Sequence, residues 1–145
     1  MEPGYISVQT HDGCPDKVRI LCNGHKPQTR QPPDSETRIR YIAHFNDSEA
    51  AMMHVHAFLK RHLIDPDDHL YRTDAAHAIA AVRSVALRHR EVFSDERLDA
   101  AVRKDVERLV SVHHRWQRRQ DLTFRTIGAI GISLLLLNAF FLSLA

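Results

Sequence analysis

The sequence predicts an α+β protein, mostly helical: a small N-terminal β-hairpin or three-strand region, three helices, then a C-terminal single transmembrane helix. Three observations lead there. Before residue 46, apolar and polar residues alternate in short runs, the period of a half-buried strand. From there to Trp116 the apolar residues recur three and four apart, the period of an amphipathic helix. The last twenty residues carry no ionisable side chain.

Residues 1–25 read as a β-hairpin. Ile6 and Val8 alternate with polar neighbours, His11-Asp12-Gly13 is a turn signal, and Val18, Ile20 and Cys22 alternate again up to Asn23-Gly24. Residues 26–36, Lys-Pro-Gln-Thr-Arg-Gln-Pro-Pro-Asp-Ser-Glu, form a Pro-rich linker, because proline removes backbone donors and restricts the residue before it. Residues 37–120 form a strand plus helical domain. Its strand, 37–45, places Ile39, Tyr41, Ala43 and Phe45 on one face and Arg38 and Arg40 on a wet one.

Three helices follow. Asn46 and Glu49 match a capping box, and Ala51, Val55, Phe58, Leu59 and Leu63 make one apolar stripe ended by Asp65-Pro66. Thr73 caps a second helix, expected to reach Phe93, with Ile79, Val82, Ala86 and Phe93 inward. Ser94 caps the third, with Asp95 and Glu96 in the first turn and a stripe of Leu98, Val102, Val106, Leu109, Val112 and Trp116. No Pro or Gly separates Ser94 from Gly128, so nothing local obliges this helix to stop before the tail.

The tail, 126–145, has the roughly 20 apolar residues that a helix needs to cross a ~30 Å hydrocarbon core. Arg115, Arg118, Arg119 and Arg125 precede it against a single Asp121, which by the positive-inside rule keeps the N-terminal domain on the cytosolic or matrix-equivalent side. The same arginines form a basic membrane surface for anionic lipid. Gly128, Gly131 and Asn138 fall on one helical face, the pattern of a membrane-helix contact. The first five residues have neither the basic n-region nor the apolar stretch of a secretory signal.

Composition narrows the chemistry. A net charge of +2 is far from the basic footprint of a nucleic-acid binder. Two cysteines are too few for a disulfide scaffold. Cys14, Cys22 and His25 lack the tight pairs of a zinc site, leaving two ordinary thiols or one bridge across the hairpin. His54 and His56 diverge by about 200° on a helix, and the i+4 partner of His54 is Phe58. His62 lies two turns from His54, and the adjacent His113 and His114 diverge likewise. Asp65, Asp67 and Asp68 lack the glycine and closing glutamate of a calcium loop and read as an inter-helix connection. No phosphate loop, dinucleotide fingerprint or nucleophile elbow is present. No catalytic, cofactor-binding or metal-binding residue is therefore assigned, and neither a cofactor nor a small-molecule substrate is inferred.

Residues 86–95, Ala-Leu-Arg-His-Arg-Glu-Val-Phe-Ser-Asp, resemble a helical stretch of the B-cell-lymphoma family of apoptosis regulators, which are commonly tail-anchored helical proteins. The likeness covers ten residues of 145, and the family's Asn-Trp-Gly-Arg motif is missing. It implies a tail-anchored signalling or cell-death regulator. The residues themselves point to a non-catalytic, tail-anchored single-pass membrane protein, an accessory or assembly subunit of a larger membrane complex such as a bioenergetic one. Its expected partners are other membrane-protein subunits and the lipid bilayer.

Overall fold

β1 (Gly4–His11) folds back through a two-residue turn onto β2 (Cys14–Asn23), pairing antiparallel with Val8 opposite Ile20 and Ile6 opposite Cys22. β3 (Thr37–Phe45) takes the other edge of β1, also antiparallel. The structure is a computed structural model that describes residues 2–29, 36–95 and 98–144; the side chains of 15, 116–117, 119–122, 124–125 and 136–144 lie outside the described set. The expected hairpin and third strand are thus present. They belong to a larger sheet of six strands, in the order β4-β5-β2-β1-β3-β6. Every adjacent pair is antiparallel, so β2 and β3 run parallel to one another on either side of β1.

The chain leaves β3 into α1 (Ser48–Leu59) and a single 3₁₀ turn, Lys60–His62. It then forms a short hairpin of β4 (Leu63–Asp65) and β5 (Leu70–Arg72), and α2 (Ala75–Arg83) leads to β6 (His89–Ser94) on the free edge of β3. α3 spans Ala100–Leu144. The chain divides into two compact units, Met1–Val110 and Ser111–Ala145.

In the first unit one sheet face builds the core. Ile6, Val8, Val18, Ile20, Tyr41, Ala43 and Phe45 meet Ala51, Val55 and Leu59 of α1 and Ile79 and Val82 of α2. Fully burying each such large aliphatic side chain stabilises by about 1.5–3 kcal/mol. α2 is short but buried at Ala76, Ala78, Ile79, Ala80, Ala81 and Val82. Four of those are alanines, whose small side chains let the helix settle close to the sheet. Leu98, Val102, Val106 and Leu109 add the last side of the core, as the expected stripe required, while Val112 stays exposed.

The caps of α1 and α2 lie one residue beyond the expected ones, whereas Ser94, expected to cap the third helix, ends β6 and α3 starts at Ala100. Asp47 Oδ1 accepts from Ala50 N at 3.1 Å at the start of α1, and Asp74 Oδ1 from His77 N at 2.7 Å at the start of α2. At each of those two ends the aspartate supplies the capping oxygen.

The other sheet face is not simply wet. A register shift between Val8 and Gln9 makes Arg40 the extra residue of β3, so that Ile39 pairs with Gln9 rather than joining the helix-side core. Ile39 nevertheless lies buried, as do Ser7 and Ile42. A bulge of this kind re-aims one side chain and increases local twist. The strict alternation expected for 37–45 fails at this point.

Other expectations are corrected. The second helix ends at Arg83, and residues 89–94 are strand, not helix. The ten residues that resemble the apoptosis regulators contribute β6, and Arg88-His89-Arg90-Glu91 lies along a sheet edge, so the helical likeness and the regulator reading fall together. Asp65, Asp67 and Asp68 connect two strands, not two helices, and Asp65 Oδ1 accepts from Asp67 N at 2.9 Å in that turn. Overall the fold is a six-stranded antiparallel sheet with helices, not a mostly helical domain with a hairpin.

The second unit is the remainder of α3. Among the described residues, no helix is long and apolar enough to cross a membrane. This overturns the transmembrane anchor, the tail-anchored membrane localisation and the accessory-subunit reading built on them.

Candidate functional site

The first unit carries several open depressions. The one beside α2 is floored by Tyr41 and rimmed by Arg83, Glu91, Leu98 and Glu107, with a volume of about 340 Å³. Tyr41 reaches it from the core face of β3, and its hydroxyl is hydrogen-bonded to the Glu91 carboxylate. Burial pushes the Tyr41 hydroxyl well above the ordinary tyrosine value, and the Glu91 charge pushes the same way while Arg83 opposes it. A phenol held protonated in this way is a hydrogen-bond donor and a poor nucleophile.

A second depression, about 360 Å³, lies at the N-terminal end of α2 between Thr10, Arg40, Asp74, Asp99 and Asp105. Its fixed element is Arg40, whose Nε donates to Thr10 Oγ1 at 2.9 Å and whose Nη1 pairs with Asp95 Oδ2 at 2.9 Å. The guanidinium is committed to the fold, not presented to a ligand.

Cys14 opens on a third, of about 320 Å³, with Lys17 and Arg19 nearby. The adjacent imidazole of His11 is not available as its base. Gly13 N donates to His11 Nδ1 at 3.2 Å, and Nε2 lies 3.1 Å from Glu36 Oε2. Neither ring nitrogen is left to take a thiol proton, so the thiol–imidazole pair of a cysteine nucleophile is not assembled. Both cysteines are free and lie eight positions apart on the same strand, about 26 Å along an extended chain, so no bridge joins them across the hairpin.

The largest of these hollows, about 520 Å³, lies between the end of β2, α1 and the β4–β5 turn, lined by Cys22, Glu49, Met52, Met53, His56 and His69. Met52 and His56 are one helical turn apart, and His56 Nδ1 lies 3.3 Å from the Tyr71 hydroxyl. His69 sits in the left-handed region at φ 49°, held there by its carbonyl, which accepts from Ile20 N at 3.1 Å. Sequence reasoning isolated His56 with His54 and found them divergent. Beyond its own helix, the groups around His56 are Tyr71 of β5, Cys22 of β2 and His69 of the β4–β5 turn, which no local spacing reveals. His54 is exposed, away from this hollow. Among the described residues no three His, Cys, Asp or Glu side chains group closely enough to hold a metal ion by themselves.

The second unit holds most of the residues assigned from sequence. Gly128 and Gly131 face open space, with nothing within 4 Å of where a Cβ would stand. The side chain of Asn138 lies outside the described residues, as do those of Arg119 and Arg125. Arg118 is exposed, and Arg115 donates from Nε to the Ser111 carbonyl at 3.3 Å. Ile127, Ile130, Ile132, Leu134 and Leu135 are between 56% and 72% exposed. The described residues therefore bring no basic side chain together with the glycines. What they show instead is a concentration of uncovered aliphatic surface.

No protein-family model, no curated protein and no solved structure matches this chain.

Proposed function

We propose that the chain is a non-catalytic association module, and that two or more copies join through the aliphatic segment 127–135. The single observation that carries this is the exposure of five large aliphatic side chains within nine residues. Fully burying one such side chain is worth about 1.5–3 kcal/mol, so five that are more than half uncovered leave roughly 5 kcal/mol of favourable burial unrealised. An exposed patch of that kind marks an interaction surface.

A second copy suits the segment. Ile127, Ile130 and Leu134 recur at i, i+3 and i+7, the spacing of a helix-to-helix seam. Residues 126–135 carry no charge, so two identical segments meet without like-charge repulsion. The open positions at Gly128 and Gly131 allow close backbone approach. The non-catalytic reading is supported by the engaged nitrogens of His11 and by the structural commitment of Arg40.

Sedimentation equilibrium of the full chain in aqueous buffer tests the reading. The expected result is a discrete dimer or small oligomer at micromolar concentration, converted to monomer by Ile130→Lys with Leu134→Lys while the thermal unfolding of the first unit is unchanged. A monomeric wild-type chain at ~100 μM, polydisperse aggregation without a stoichiometry, or an assembly that survives both lysines overturns it.

A further inference from the structure

The hollow at the end of β2 has an unusual lining. Each of its six residues ends in a group that can bind a metal: the Cys22 thiol, the Met52 and Met53 thioethers, the His56 and His69 imidazoles, and the Glu49 carboxylate. Sulfur and imidazole dominate, and the thioethers among them suit soft Cu(I) rather than a hard divalent ion. Among the described residues, the grouping of His, Cys, Asp and Glu falls short of a three-ligand site by itself. It leaves the thioethers, which zinc does not use, to complete a site for a softer ion.

The fold pre-arranges three of these donors. Cys22 pairs with Ile6 on the helix-covered face of the sheet and packs against the core. Met52, almost fully buried, stands one turn before His56 on α1, so both side chains lie on the same helix face. Tyr71 holds His56 at Nδ1. When that nitrogen donates to the hydroxyl oxygen, the lone pair sits on Nε2, the nitrogen left for a ligand; an outer partner at the second ring nitrogen is the usual way of orienting a ligating histidine.

We propose that this hollow binds one Cu(I) ion through the Cys22 thiolate, the Met52 thioether and His56 Nε2. The Cys22 proton passes to solvent as the bond to the metal forms, so binding strengthens as pH rises. This site is independent of the association segment, and neither reading requires the other.

The test is an anaerobic titration of the reduced full chain with Cu(I) against a chromophoric Cu(I) chelator, with Zn(II) titrated in parallel. One equivalent of Cu(I) is expected to be withdrawn from the chelator, with Zn(II) at least 100-fold weaker. Cys22→Ser and His56→Gln should each weaken Cu(I) binding at least 10-fold, and Met52→Leu, which conserves volume, should weaken it with the thermal midpoint unchanged. Tyr71→Phe should lower affinity by about 10-fold through the orientation of His56. Cys14→Ser is the control and should bind as wild type. No withdrawal of Cu(I) from the chelator, equal affinity for Zn(II), unaltered binding in Cys22→Ser, or an equal loss in Cys14→Ser overturns the proposal. Should His56→Gln unfold, Met52→Leu and Cys22→Ser decide it.

Discussion

Arg40 and Asp95 are tied twice, side chain to side chain at 2.9 Å and backbone to backbone, where Asp95 N donates to the Arg40 carbonyl at 2.9 Å. The side chains are 22% and 15% exposed. Arg40 is the extra residue of the β3 bulge against β1, so this pair fastens the chain leaving β6 to an irregular point of the strand beside it. Breaking a pair so sheltered takes a hydrogen-bonded cation away from a largely buried carboxylate. Arg40→Ala should cost about 2–4 kcal/mol of unfolding free energy, and Arg40→Lys, which keeps the charge but loses the fork, about 1 kcal/mol. Urea unfolding followed by far-UV circular dichroism measures both, and equal values for the two variants would dismiss the pairing as a stabilising contact.

Gly4 is fixed by what stands next to it. A Cβ there would lie 2.5 Å from Ser48 Oγ and 2.8 Å from Ser48 Cβ, at the point where α1 docks on β1. Gly4→Ala should therefore destabilise by about 1–3 kcal/mol through overpacking. Adding Ser48→Gly should recover part of that loss. A double variant no more stable than Gly4→Ala alone would show that the strain lies elsewhere.

The buried phenols set an alkaline limit. Tyr41 is held above its ordinary value of 10.0, first by burial and then by the Glu91 charge, and burial raises Tyr71 as well. The unfolded chain loses these protons near pH 10 while the folded chain keeps them. Stability is therefore undiminished below about pH 10 and falls as pH rises beyond it, by up to about 1.4 kcal/mol per pH unit for each group. Urea midpoints between pH 8 and 11.5 should show this fall, and Tyr41→Phe should make it shallower. A slope identical in the variant would remove Tyr41 from the account.

The cap of α2 offers a smaller test. Asp74→Ala removes the acceptor for His77 N, and the cost should be about 1 kcal/mol. α2 has only nine residues, most of them buried, so its docking should depend on that cap. Asp47→Ala should cost a similar amount at α1. Thermal melts of the two variants give the comparison, and Asn at either position should restore most of the loss.

The first three strands and the start of α1 were legible because their signals are local. Ile6, Val8, Val18 and Ile20 alternate, His11-Asp12-Gly13 marks the hairpin, and an Asx residue stands before α1. The stretch after α2 resembles a helix because Ile79, Val82, Ala86 and Phe93 fit a helical spacing, yet residues 89–94 form a strand where the open edge of β3 is available. β4 and β5, three residues each, are too short to show any period. The apolar composition of 126–145 and its basic flank suggest a span, yet among the described residues no helix is long and apolar enough to cross a membrane. The hollow around Cys22 was not legible, since residues 49, 52, 53 and 56 of α1 meet Cys22 of β2 and His69 of the β4–β5 turn only in the fold.

The position of β1 inside the sheet, flanked by β2 and β3, has a consequence for synthesis. The first strand of the sheet in chain order lies well inside the finished sheet, yet the β3 edge is covered only by residues 89–94. A nascent chain that has reached α1 displays a bare strand edge, a template for pairing with a neighbouring chain, until some fifty more residues have emerged. Slowing translation between β3 and β6 should therefore lower the yield of folded protein more than the same delay placed after Ser94.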